Sequence, residues 1–236
     1  MRTMAQILTA ITTRGEADRP LPELLCVECA HALSVAAVAM TLMSEAGHQA
    51  VIGSSGPLAS RLEEIQFDLG EGPGLEASRA QHTIAHDDLT GAVLTPWPSF
   101  ASAALAEGIV AVTAVPLRLS GVGLGSLCVY RSSRGPLDQH RTATTHAYAG
   151  AAVGILVHLQ DQMWPETLHP DLDEPMVYRA VVHQATGFLA VKASVGTVDA
   201  LLLLRAHAFA TDQALVHIAR EVLSGRLRLH PEADDD

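Results

Sequence analysis

With 236 residues, 48% of them hydrophobic and 17% charged, the chain can bury one or two cores. A formal charge of −11 argues against a protein that coats nucleic acid, because nonspecific phosphate binding grows with the number of cations supplied. Three cysteines make no disulfide framework and no apolar run approaches the roughly 18 residues of a membrane span, so a cytoplasmic protein with reduced thiols and no membrane partner is expected.

The charge is unevenly placed. Residues 1–172 hold 9 Lys and Arg against 17 Asp and Glu, residues 173–229 hold 6 against 5, and residues 230–236 hold none against 4. The acidic excess lies in the front of the chain and in the tail Glu232, Asp234, Asp235, Asp236, which points to two domains with different tasks.

In chain order, Met4, Ile7, Leu8 and Ile11, followed by the polar run Thr12 to Arg19, predict a loosely packed lead-in helix within residues 1–19. Leu21 to Leu33 has helical spacing, Val35 to Met43 turns β-like, and Gln49 to Ser54 returns as the second strand of a hairpin through Ser44 to His48. A helix from Leu58 to Phe67 is followed by the loop Gly70-Glu71-Gly72-Pro73-Gly74, whose glycines and proline interrupt it. A short extended piece from Thr83 to His86 and a helix from Pro98 to Glu107 come next. The hairpin Ile109 to Leu119 and Val122 to Tyr130, turning at Ser120-Gly121, and a long helix from Asp138 to Gln162 complete the domain at residues 20–162. Such an order is α+β, an antiparallel sheet flanked by helices, and not a regular βαβ alternation.

The segments Leu69-Gly70-Glu71-Gly72-Pro73-Gly74-Leu75-Glu76-Ala77, Asp87-Asp88-Leu89, Trp97-Pro98-Ser99-Phe100, Gly108 to Val112, Pro116-Leu117 and Gly125-Ser126-Leu127 resemble the GAF family over about 140 residues. That resemblance implies a sensor whose ligand pocket lies between one sheet face and the connecting loops; the residues identify no ligand and no cofactor.

Three prolines in Trp164 to Pro175 mark residues 163–174 as a linker. Asp173 is placed to cap a new helix with Glu174 and Pro175 in its first turn, Gly196 to mark its end, Thr197 to cap a second helix, and Thr211 or Asp212 a third, all within residues 175–229. On the first of these, Val177, Val181, Val182, Ala185, Phe188 and Leu189 make one broad side, opposed by Arg179, Ala180, His183, Thr186, Gly187 and Ala190. Gly187 in a helix interior costs about 1 kcal/mol relative to alanine, so either a helix of the same domain packs tightly there or something else approaches closely.

His183-Gln184-Ala185-Thr186-Gly187-Phe188-Leu189, then Asp199-Ala200-Leu201, Leu204 to Phe209, Leu215 and Ile218 to Leu223 resemble the ANTAR domain, a C-terminal three-helix module. The resemblance implies binding to paired RNA hairpin loops in leader transcripts and a role in transcription antitermination. Its motif positions fall on Ala185, Gly187, Arg205, Ala208 and Ala219, and the implied RNA surface adds Arg179, His183, Thr186 and Arg220. Thr186 stands where many members carry lysine. Arginine suits the task because its planar fork bonds phosphate and stacks on unpaired bases. Leu201 to Leu204 is apolar all round, so that helix is expected to meet a further surface.

Other candidates are weaker. Cys26-Val27-Glu28-Cys29 with His31 lacks a second ligand pair at metal spacing, His82 and His86 would pair only on a helix, and Gly70 to Gly74 lacks the Gly-Lys-Ser/Thr ending of a P-loop. No catalytic grouping is recognisable, so no enzyme and no metal are expected; a redox role for Cys26, Cys29 or Cys128 stays open. Ala147, Gly150, Ala151 and Gly154 form a small-residue strip on the long helix, suited either to a homodimer or to packing on its own sheet. The expected protein is an RNA-binding regulator controlled by a GAF sensor. The alternative is a ligand or redox sensor whose ANTAR-like tail mediates protein–protein contacts.

Overall fold

The computed structural model describes residues 3–14, 19–43, 49–94, 96–162 and 173–229, and divides into two units, Met1–Pro165 and Glu166–Asp236. The predicted turn at residues 44–48 and most of the linker and acidic tail lie outside the described residues.

In the first unit the helices are α1 (Met4–Arg14), α2 (Leu21–Leu33), α3 (Pro57–Leu69), α4 (Pro73–Ala80), α5 (Pro98–Ala106) and α6 (Gln139–Gln162). The strands are β1 (Ala37–Met43), β2 (Gln49–Ser54), β3 (Ile84–His86), β4 (Ala111–Leu119) and β5 (Val122–Arg131), paired antiparallel in the order β2-β1-β5-β4-β3. Ser120 and Gly121 both have positive φ, the condition a two-residue hairpin turn needs to match the strand twist, and Leu119 pairs with Val122.

Both faces of the sheet are covered, and strand alternation sorts the side chains between them. Val38, Met40, Val115, Leu117, Leu127 and Val129 join the core made with α1, α2 and α6. Ala37, Ala39, Val112, Ala114, Cys128 and Tyr130 join the other, with Leu62 of α3, Ala77 of α4 and Phe100 of α5.

Two expectations change here. Helix α1 is not loosely packed: Ile7 and Ile11 are buried in the first core. The small strip of α6 receives it, since a Cβ on Gly150 or Gly154 would stand 3.0 Å from Met4 Sδ or Leu8 Cδ1. Helix α4 is the other change, because Pro73 begins a helix instead of prolonging a loop. Proline costs nothing at the first helical position, where its missing N–H has no partner, and α3 and α5 also begin on proline.

The second unit is three helices, α7 (Asp173–Ala193), α8 (Thr197–Ala210) and α9 (Leu215–Leu223), around Val182, Ala185, Leu189, Ala200, Leu201, Leu204, Ala208, Leu215, Ile218, Ala219 and Val222. Thr197 is the first residue of α8 and Gly196 its cap. Neither Thr211 nor Asp212 caps α9, which follows Ala214. Those two residues end α8 instead: Thr211 Oγ1 donates to His207 O at 2.7 Å, Asp212 is left-handed, and Gln213 N–H returns to Ala208 O at 3.0 Å. Among the described residues no single helix is long and apolar enough to cross a membrane.

Candidate functional site

Polar groups collect inside the first unit between α3, the start of α4 and β5. Gln66 Nε2 donates to Glu63 Oε2 at 3.0 Å and to the Tyr130 hydroxyl at 2.8 Å, while its Oε1 accepts the Gly74 N–H at 2.8 Å. Tyr130 donates in turn to Glu63 Oε1 at 2.5 Å. Cys128 Sγ lies 3.8 Å from Ser126 Oγ, and the Ser126 and Thr41 hydroxyls meet at 3.0 Å. Glu63, Gln66, Ser126, Cys128 and Tyr130 are all fully buried, so this network makes a carboxylate tolerable inside the core by giving it two donors. Burial, and then the Glu63 charge, hold the Cys128 thiol protonated; burial does the same for the Tyr130 hydroxyl, with Cys128 and Glu63 adding to it.

The glycine-rich segment sits directly on this network. Gly70 ends α3 in a left-handed conformation, with its N–H returned to Gln66 O at 2.9 Å. A Cβ on Gly72 would stand 2.5 Å from Gln66 Cγ, and one on Gly74 2.8 Å from Cys128 Sγ and 2.9 Å from Ser126 Oγ. Two acids tie this segment to the start of α5: Glu71, between the glycines, accepts the Phe100 N–H through Oε1 at 2.9 Å, and Glu76, two residues beyond Gly74, accepts Trp97 Nε1 through Oε2 at 2.6 Å. The motif is a structural joint. The Gly74 N–H, one donor a phosphate cradle would use, is already bonded to Gln66. Sequence reading singled out the glycines but not Glu63, Gln66 or Tyr130. The available signal was spacing, since Leu62, Gln66 and Leu69 recur on one face of α3 and so point a polar residue inward.

The first unit has the fold of a GAF domain. Two solved structures of such domains, both from phosphoenolpyruvate-protein phosphotransferases, are similar to it. The one from Coxiella burnetii has a TM-score of 0.52 at 18% identity, with 68% of this chain and 96% of that one covered. The one from Acinetobacter has a TM-score of 0.50 at 12% identity, covering 69% and 98%. No family model and no curated protein matches the sequence. In this GAF-fold unit the sheet face bearing the connecting segments is occupied by the Glu63–Gln66–Tyr130 network and by Trp97 and Phe100.

The other candidates separate in space. Cys26 and Cys29 share the buried face of α2, and burial pushes both thiols up; a protonated, enclosed thiol is a poor nucleophile. His31 is exposed. His86 packs edge-on against Trp97, 4.7 Å between ring centres, while the exposed His82 pairs through Nδ1 with Ala80 O at 3.1 Å, so the two are not brought together. Among the described residues no group of three or more metal-ligating side chains assembles.

In the second unit the predicted RNA-contact residues divide. Ala185, Thr186, Ala208 and Ala219 are buried between helices and present no surface to a ligand. Thr186 was expected on the polar face of α7; its hydroxyl instead donates to Val182 O at 2.8 Å, which lets it enter the core without an unmet polar group. Phe188, expected on the apolar side, is 40% exposed. Gly187 and Arg220 are exposed, and His183 and Arg205 are half-buried. Arg179 lies on α7, and its side chain is outside the described residues.

Proposed function

We propose that the chain is a regulator of the antitermination kind, in which the GAF-fold unit senses a small-molecule signal and the second unit, an ANTAR-type domain, binds paired hairpin loops in a leader transcript. Gly187 carries this reading. Helix α7 bears the cost of an interior glycine, about 1 kcal/mol relative to alanine, yet a Cβ built there has nothing within 4 Å. Of the two sequence-level explanations, tight packing of a sister helix therefore loses its support, and close approach by an external partner gains it. The buried alanines do not discriminate, since helix packing accounts for them. Exposed Arg220 and half-buried Arg205 supply guanidinium groups of the kind that bond phosphate and stack on bases.

The test is binding of the full chain to a leader RNA with two adjacent hairpins and to a scrambled RNA, over several salt concentrations. Expected is a preference for the paired hairpins that Gly187→Ala reduces about tenfold, the equivalent of 1.4 kcal/mol. Equal binding to both RNAs, or an unchanged preference in Gly187→Ala, overturns the reading.

A second reading, a tail that mediates protein contacts, including those of a homodimer, is favoured by Val198, Leu202 and Phe209. These fall along one side of α8 at spacings of four and seven residues and are 63%, 63% and 76% exposed. The α6 strip offers no such surface at Gly150 and Gly154, where α1 covers it. Loss of self-association in Leu202→Glu, with RNA preference intact, would separate the two readings.

A further inference from the structure

Gly187 belongs to a stripe of α7 with a chemistry of its own. Ala180, Gln184, Gly187, Phe188, Val191 and Lys192 recur at i, i+4, i+7, i+8, i+11 and i+12 along one face of the helix, and all six are exposed. The core of the second unit takes Val182, Ala185, Thr186 and Leu189 from the other side of α7. Val191 is 81% exposed, so no described residue covers the stripe there.

Three kinds of group stand side by side on it. Ala180 and Gly187 are small and leave the helix backbone open to close approach; a Cβ built on Gly187 has nothing within 4 Å. Phe188 offers an exposed ring, and the Lys192 ammonium, one turn on, stands 5.7 Å from the ring centre. Gln184, one turn before the ring, brings an amide that both donates and accepts. Charge selects an anionic partner: Lys192 is the sole lysine of a chain with a formal charge of −11, and α7 holds no acid beyond Glu174.

A purely apolar partner would use Phe188 and Val191 but would strip water from the ammonium and the amide beside them, at a cost. An unpaired nucleotide uses every group: its base stacks on the ring and meets the amide with its edge, and its phosphate pairs with the ammonium. We propose that this stripe is a docking site for an unpaired nucleotide of RNA, with Phe188 as the stacking platform, Gln184 on the base edge and Lys192 on the phosphate. The proposal rests on the antitermination reading and deepens it. Of the RNA surface implied by the ANTAR resemblance only Gly187 lies in the stripe, so the base contact passes to residues that surface does not include.

The experiment measures affinity of the full chain for the paired-hairpin RNA, with an abasic sugar placed at one loop position at a time and over several salt concentrations. Expected is a loss of about tenfold in Phe188→Leu, with recovery in Phe188→Tyr. At one loop position the abasic RNA should cost the unsubstituted chain about as much, and Phe188→Leu nothing further, because base and ring act as one pair. Lys192→Gln should lower the slope of log K against log salt by about 0.7, the share of one single-strand phosphate, and Lys192→Arg should restore it. Unchanged urea midpoints in these exposed-site variants check that the second unit is folded. Full affinity in Phe188→Leu, abasic losses that multiply with it at every position, or an unchanged slope in Lys192→Gln would each overturn the site while leaving the antitermination reading standing. Loss of self-association in Phe188→Leu with RNA binding intact would overturn it in favour of a face between copies of the chain. Absence of any preference for the paired hairpins in the unsubstituted chain would overturn both.

Discussion

The glycines of residues 70–74 and Gly187 stand out equally in the sequence, but their surroundings give them opposite tasks. Gly72 and Gly74 lie so close to Gln66, Ser126 and Cys128 that a single added carbon has no room. Gly187 faces open space. The first pair is explained inside the molecule and Gly187 is not. A glycine demanded by internal contact speaks of stability, whereas one whose cost nothing internal repays speaks of a partner.

Substitution should break this comparison most sharply at Gly74. Gly74→Ala overpacks Cys128 and Ser126 and is expected to destabilise the first unit by about 2–3 kcal/mol, read from the urea midpoint. Gln66→Leu comes next, at about 2 kcal/mol, because it leaves the Gly74 N–H and the Glu63 carboxylate short of a partner; faster hydrogen exchange at Gly74 would report the same loss.

A smaller effect follows from pH. Burial raises Cys26, Cys128 and Tyr130 above their ordinary values of 9.0, 9.0 and 10.0, so the folded state keeps protons that the unfolded chain releases. Their contribution is fully present below pH 9 and is lost as pH rises beyond it. The urea midpoint should begin to fall near pH 9 and go on falling above it, and Cys26→Ala should flatten that fall. The smallest change in stability, and one of opposite sign, is expected at Gly187: Gly187→Ala should stabilise the second unit by up to about 1 kcal/mol while weakening RNA binding. A substitution that helps the fold and harms binding would sharpen the contrast with Gly74; one that destabilises would erase it.

Much of the fold was legible. The hairpin of β4 and β5 and the helices α2, α3, α5 and α6 follow from periodicity and turn chemistry over a few residues, which is the range those rules cover. Helix α4 is not legible in the same way, because Gly72-Pro73-Gly74 reads as a breaker, although proline at a first helical position starts a helix as readily as it ends one. The rotated burial of α7, with Thr186 inside and Phe188 outside, is not legible either, because one helix packed on two neighbours has a buried sector that its own hydrophobic pattern does not define.

By itself, then, the sequence determined the order and kind of most of the elements and the unusual glycines, because these depend on backbone preferences of neighbouring residues. Only the tertiary structure decided which glycine is crowded and which is open, and that Glu63, Gln66 and Tyr130 meet although Tyr130 is more than sixty residues away in the chain. These facts concern atoms brought together by packing, and no local rule on either partner contains the other's position.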